Sequence, residues 1–290
     1  SDIIKIAVDA MGGDGSPKKV IDGIIHNYSK EKDNFYKIFG DKEQIFPLIN
    51  NKIDEQNFEI IHTQNQVKNT DTPLEAAKKG KDTSMWLSIE SVKKNEADVV
   101  ISAGNTGALL VIAKLNLKMI ENIDKPALSA LWPNKKGMSV VLDLGANIEC
   151  SSKNLFDFSV MGSSLYKSLF PDDTPNVALL NIGSEELKGN EVIKETYQLL
   201  NEKKSNTFNF AGYIEGNELM NGNVNVIVSD GFTGNVALKT AEGTANFITD
   251  ELKKALGGSI IGKFSSFLNI SNLKKFKKRL DPRLYNGAIF

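Results

Sequence analysis

The chain has 290 residues, 41% hydrophobic and 24% charged, with a net charge of −1 and a single cysteine, Cys150. That composition belongs to a folded protein with ample core, and it excludes a disulfide scaffold and suits a reducing compartment. No run reaches the roughly 20 apolar residues of a membrane-spanning helix, and the start shows no basic segment followed by an apolar core that would mark a secretory leader.

In chain order, apolar β-branched runs predict strands over 3–10, 35–40, 58–63, 98–104, 127–133, 138–145, 176–183, 208–216 and 224–231. Several are continuously apolar, which suits strands buried on both faces of a mainly parallel sheet. Helical patterns lie between them. Ser16 followed by Pro17 reads as an N-cap with proline at the first helical position, and Thr72-Pro73 opens a helical stretch over 72–96 in the same way. A long helix is predicted over 235–256, then an apolar link, then the basic run "NLKKFKKRL" with Leu273, Phe276 and Leu280 on one side. The order implies a layered α/β fold, with no repeat or clear linker, and so one catalytic α/β domain over 1–290 carrying a basic helical hairpin at about 241–280.

Charge is unevenly spread. From Glu251 to Arg283 there are seven lysines and two arginines against Glu251 and Asp281, a net of +7, which leaves about −8 for the remainder. Such a segment suggests an anionic partner.

Five predicted strands hand over to glycine mixed with Asp, Asn, Ser or Thr: "DAMGGDGSP", "SAGNTGA", "DLGANIE", "NIGSEELKGN" and "SDGFTGN". In open α/β sheets ligands bind beyond the carboxyl ends of the strands. Five such turns on one edge would line a pocket with backbone N–H groups, and helix N-termini aimed into it favour an anion, phosphate above all. Neither G-x-x-x-x-G-K-[ST] nor G-x-G-x-x-G after the first strand occurs, which argues against a P-loop hydrolase and a dinucleotide fold. His26 and His62 are the only histidines. Mechanisms of the Ser-His-Asp or Cys-His kind are poorly supplied, and no histidine-based metal cluster can be assembled. Cys150 reads as a packed small side chain.

Together the motifs "VDAMGGDGSP", "SAGNTGALL", "LDLGAN", "LLNIGSEELKGN" and "SDGFTGNVALKTAEG" resemble the PlsX family of bacterial phosphate acyltransferases, from Ile6 to "LDPRLYNGA". Members usually continue for several tens of residues beyond this point, so the resemblance implies a chain shortened at its C-terminal end. It implies an α/β/α sandwich like that of phosphotransacetylases and isocitrate or isopropylmalate dehydrogenases, usually as a homodimer. The implied reaction moves a fatty acyl group from acyl carrier protein to inorganic phosphate. The product, acyl phosphate, feeds a membrane acyltransferase that acylates glycerol 3-phosphate in phospholipid synthesis. The implied setting is the cytoplasm, with peripheral contact at the inner face of the plasma membrane, and no nucleic acid. An acyl-CoA-using phosphotransacetylase and a non-catalytic membrane scaffold are the alternatives.

This chemistry needs neither cofactor nor metal. Phosphate is already an anionic nucleophile and a thiolate leaves well, so the enzyme chiefly holds phosphate and stabilises the thioester oxyanion. Lys188 is the first candidate for neutralising either charge. Asn235, placed at the start of the helix after "GFTG", could donate amide hydrogens, with Thr233 and Gly234 beside it. Gly12 and Gly13 belong to the phosphate-binding turns, as do Asn105, Thr106 and Asn147. Asp9, Asp14, Asp143 and Asp230 are better suited to accepting from turn N–H groups, orienting Lys188 or asparagines, or holding a phosphate proton. In the C-terminal segment, Ile260, Ile261 and Phe264 form an apolar tip, and Lys274, Lys275, Lys277 and Lys278 its basic flank. That combination suits an anionic bilayer, the acidic carrier protein or a second subunit.

Overall fold

The computed structural model describes residues 3–203, 205–259, 265, 267–280 and 288–289. All nine predicted strands form, and they divide between two sheets in two compact units, Ser1–Glu121 and Asn122–Phe290.

The first unit has a four-stranded, wholly parallel sheet of β1 (Lys5–Asp9), β2 (Phe35–Gly40), β3 (Phe58–His62) and β4 (Val99–Ser102), in the order β3-β2-β1-β4. Alternation along β1 sets its layers. Ile6 and Val8 pack with Ile21 and Ile24 of α1 (Lys18–Tyr28) and with Ile45 and Ile49 of α2 (Lys42–Ile49). Ala7 turns to the other face, against Leu87 and Val92 of α4 (Ser84–Lys93). Helices α3 (Pro73–Lys78) and α5 (Thr106–Leu117) complete the unit.

Two local expectations are corrected here. Ser16 does not cap α1: the residue at that position is Pro17, without a side-chain cap, and the Ser16 hydroxyl donates to the Gly12 carbonyl at 2.5 Å. The stretch 72–96 is two helices. Thr72 and Glu75 form a capping box at the start of α3, Gly80 at φ +116° breaks the run, and Thr83 caps α4 by accepting from the Trp86 N–H.

The second unit has a six-stranded sheet in the order β10-β5-β6-β9-β7-β8. Its strands are β5 (Leu128–Asn134), β6 (Gly137–Leu142), β7 (Asn176–Asn181), β8 (Asn209–Glu215), β9 (Val226–Val228) and β10 (Ala288–Ile289). Strands β6, β9, β7 and β8 run parallel, while β5 makes an antiparallel hairpin with β6 and β10 pairs antiparallel with β5. One face packs Val140, Leu142, Leu179 and Val228 under Leu155 and Phe158 of α6 (Ser152–Leu169) and Ile193 of α7 (Glu191–Glu202). The other packs Val141, Ala178 and Ile227 with Ala237, Leu238 and Ala241 of α8 (Gly231–Gly257). The basic helix is α9 (Ile270–Leu280). Arg279 ties it down, its guanidinium donating to the Asn134 carbonyl at 2.9 Å. Among the described residues no helix is long and apolar enough to cross a membrane.

Candidate active site

In the first unit the Gly-rich turns after β1 and β4 lie against each other. Asp9, at the end of β1, is buried. Its Oδ1 accepts from the Ser84 hydroxyl at 2.7 Å and the Met11 N–H at 3.2 Å, and its Oδ2 accepts from the Ser102 hydroxyl at 2.7 Å. Neutral donors thus satisfy this carboxylate in place of a cation. A Cβ on Gly12 would come within 2.9 Å of the Gly104 backbone, and Gly13 sits at φ +90° against the Ala103 carbonyl, so only glycine permits this approach. Asp14 accepts from the Asn69 amide at 3.1 Å. Asn105 caps α5 through Oδ1, accepting from the Ala108 N–H, while its amide nitrogen donates to the Asp71 carbonyl at 2.7 Å and the Asn69 carbonyl at 3.3 Å. Its amide hydrogens are therefore engaged in holding the 64–72 loop. Thr106, the next residue, is exposed. The Lys79 ammonium donates to Asp71 and holds that carboxyl below its usual range.

In the second unit the fully buried Asp143 follows β6, and the Leu142–Asp143 peptide is cis. Oδ1 accepts from the N–H groups of Leu128, Gly145 and Ala146 at 3.1, 3.1 and 2.9 Å. Oδ2 accepts from the Asn147 N–H and the Asn147 side-chain amide, both at 2.8 Å. The turn's N–H groups point inward at this carboxylate, and the Asn147 amide also donates to the Pro126 carbonyl at 2.6 Å. This turn is consequently a rigid support, its N–H groups already spent.

Helix α8 begins four residues before the sequence pattern places it. Asp230 caps it, accepting from the Thr233 N–H and the Thr233 hydroxyl, both at 2.8 Å. A carboxylate therefore already occupies the positive end of this helix. The Gly231 N–H donates to the Asn147 carbonyl at 2.7 Å, and a Cβ on Gly234 would land on the Asp143 carbonyl. Asn235 consequently sits in the second turn, exposed, with its amide donating to the Leu144 carbonyl at 3.1 Å.

Lys188 lies in the turn after β7, and its backbone is held twice. Its N–H donates to the Glu185 carbonyl at 2.9 Å, and its carbonyl accepts from the Asn181 amide at 3.1 Å. Its stem folds over Gly183, where a Cβ would meet the Lys188 Cγ at 3.0 Å, and its side chain is exposed. Because β9 lies between β6 and β7 and all three are parallel, the turns carrying Asn147, Asp230 and Lys188 leave the same edge of adjacent strands, about 4.8 Å apart.

Sequence reasoning missed Ser84, Ser102, Asn69 and Asp71. A serine inside a strand or at the first position of a helix carries no sign that its hydroxyl serves a carboxylate 93 or 75 residues away. Ile260, Ile261 and Phe264 lie outside the described residues, whereas Lys274, Lys275, Lys277 and Lys278 are exposed on α9. Among the described residues no group of three or more His, Cys, Asp and Glu is placed to hold a metal ion.

The sequence matches, over residues 4–290, the model of a family described as fatty acid synthesis protein. The chain belongs to this family. A phosphate acyltransferase of Pelagibacter ubique is 76% identical over the whole chain, which spans 87% of that relative. A phosphate acyltransferase of Maricaulis maris is 42% identical over 98% of the chain and 82% of its own length. Among solved structures, the EutD phosphotransacetylase from Staphylococcus aureus resembles this phosphate acyltransferase family member with a TM-score of 0.62 at 16% identity, over 84% of this chain and 83% of its own. A phosphotransacetylase from Streptococcus pyogenes gives 0.61 at 16%, over 83% and 82%. At such identity these likenesses describe the fold.

In this family member Cys150 is half-buried against the α6 core, and burial pushes its thiol up to about 11. It is therefore a protonated packing group near neutral pH. Cys150→Ala should keep turnover within about twofold of the original, because only a small side chain is lost. Initial rates settle this, and abolished turnover would make the thiol a participant.

Proposed function

We infer that the protein transfers a fatty acyl group from acyl carrier protein to inorganic phosphate, giving acyl phosphate for phospholipid synthesis. The observation that carries this reading is 76% identity along the whole chain to a phosphate acyltransferase. The second unit's geometry suits the chemistry. A phosphate oxygen attacks the thioester carbonyl carbon, the C–S bond breaks, and the proton carried by hydrogen phosphate passes to the departing thiolate. Lys188 supplies a cation at the end of β7, for the phosphate or for the oxyanion on the carbonyl. Asn235, with one amide hydrogen spent on Leu144, offers its second to the same edge. Thr233, Gly234 and Asp230 build the helix start that presents it. Asp143 and Asn147 fix the neighbouring turn. Asp9, Asp14, Gly12, Gly13, Asn105 and Thr106 shape the turns of the first unit.

Long-chain acyl phosphate should accumulate when acyl carrier protein and phosphate are supplied, with one thiol released per acyl group. Phosphate-dependent thiol release from acyl-CoA alone would replace this reading with the phosphotransacetylase one. Release from neither substrate would leave a scaffold.

Helix α9 bears the other half of the proposal, contact with an anionic membrane surface in the cytoplasm by a homodimeric enzyme. Its exposed Lys274, Lys275, Lys277 and Lys278 flank the partly exposed Phe276, and Arg279 fixes the helix to the β5–β6 turn. Each cation near such a surface contributes about 1 kcal/mol, fading within a Debye length of about 10 Å at 0.1 M salt. Binding to phosphatidylglycerol vesicles should weaken steeply with salt and with the four lysines changed to Gln. Co-sedimentation that responds to neither would assign the helix to the carrier or to the second subunit.

A further inference from the structure

Beyond the polar groups, the edge of the second sheet carries five apolar side chains that its own core does not use. Ile182 and Leu187 precede Lys188 in the turn after β7, Phe232 and Val236 lie on the first two turns of α8, and Ile148 follows Asn147. They are between 51% and 84% exposed, and Leu187 and Ile182 are the two most exposed large apolar residues described. Phe232, Asn235 and Val236 stand at helical spacings of three and four, so one face of α8 presents two apolar groups with an amide between them. The Gly231 N–H donates to the Asn147 carbonyl, so the turn that carries Ile148 meets the start of the helix that carries Phe232. Exposed apolar residues scattered singly need no explanation, but a set that stands beside an exposed ammonium and an amide with one open hydrogen does.

We propose that this edge of β6, β9 and β7 seats the fatty acyl chain, with Phe232, Val236, Leu187, Ile182 and Ile148 covering its methylenes. The proposal rests on the acyl-transfer reading and deepens it. Acyl phosphate is an alkyl tail joined to a dianionic head. Here the Lys188 ammonium and the second amide hydrogen of Asn235 lie within one to three residues of Leu187, Phe232 and Val236, which sets donors for an anionic head beside apolar cover for a tail.

The test uses the full chain with Phe232→Ser, Leu187→Ser and Ile182→Ser. Phe247→Ser, a change at an exposed residue farther along α8, serves as control. Two readouts are taken: the ratio of kcat/KM for hexadecanoyl over butanoyl carrier protein, and calorimetric binding of dodecyl phosphate. Removing apolar cover from a chain should lower both about tenfold per site, with the control unchanged. These side chains are exposed, so the substitutions spare the core, and unchanged unfolding midpoints will show it. Equal losses for both chain lengths, or a wild-type ratio with wild-type dodecyl phosphate binding, would overturn the seat while leaving the acyl-transfer reading intact. Variants that only shift the oligomeric state in light scattering would overturn it in favour of a second copy. If wild type releases no thiol yet binds dodecyl phosphate and the variants do not, the acyl-transfer reading falls and the apolar seat stands.

Discussion

Lys188→Ala should lose on the order of 10²–10³ in turnover, the usual cost of removing one donor from a pre-organised anion site. The fold should not change. The lysine's backbone bonds to Glu185 and Asn181 do not involve the ammonium, and its side chain is exposed. The split between constants reports its partner. A cation that mainly binds ground-state phosphate raises the KM for phosphate. One that meets the developing oxyanion lowers kcat at saturating phosphate. Lys188→Arg should recover part of the activity only, because the planar guanidinium keeps the charge but reaches its partner differently. An alanine variant with half of the original turnover would remove Lys188 from the chemistry.

Gly234→Ala is the second large effect, and it acts through backbone. In the first turn of α8 the added Cβ would collide with the Asp143 carbonyl oxygen. That carbonyl belongs to the residue whose side chain gathers five donors, so neither partner can yield without breaking the turn. Overpacking of this severity costs about 3 kcal/mol. For a body of this size that lowers the unfolding midpoint by roughly 10 °C. Turnover should fall with it even at temperatures where the variant is folded, since Asn235 is carried on the displaced helix. An unfolding midpoint within about 2 °C of the original would show that the helix start tolerates movement.

The nine strands were legible because a strand buried on both faces is a short apolar run, and that signal is local. The turns "DLGAN" and "SDGFTGN" were legible as strand-ending turns for the same reason, since glycine and small polar residues cluster where strands end. What the Asp143 turn does was not legible. Its glycine suggested N–H groups open to phosphate, and they close instead on the Asp143 carboxylate. Only the chain reversal after β6 brings those donors within reach.

The sequence by itself determined the nine strands, the mainly parallel character of the sheets and the small polar residues that follow the strands. The tertiary structure alone decided where α8 starts. Glycine disfavours helix by about 1 kcal/mol relative to alanine, so Gly231 and Gly234 read as a loop ahead of Asn235. In the folded chain the Asp230 cap and the backbone contacts with Asp143 and Asn147 outweigh that cost, and the same missing Cβ atoms allow the helix to approach. Likewise β1 announced Asp9 but not its partners Ser84 and Ser102, because hydrogen bonds between groups 75 and 93 residues apart exist only once the sheet has formed.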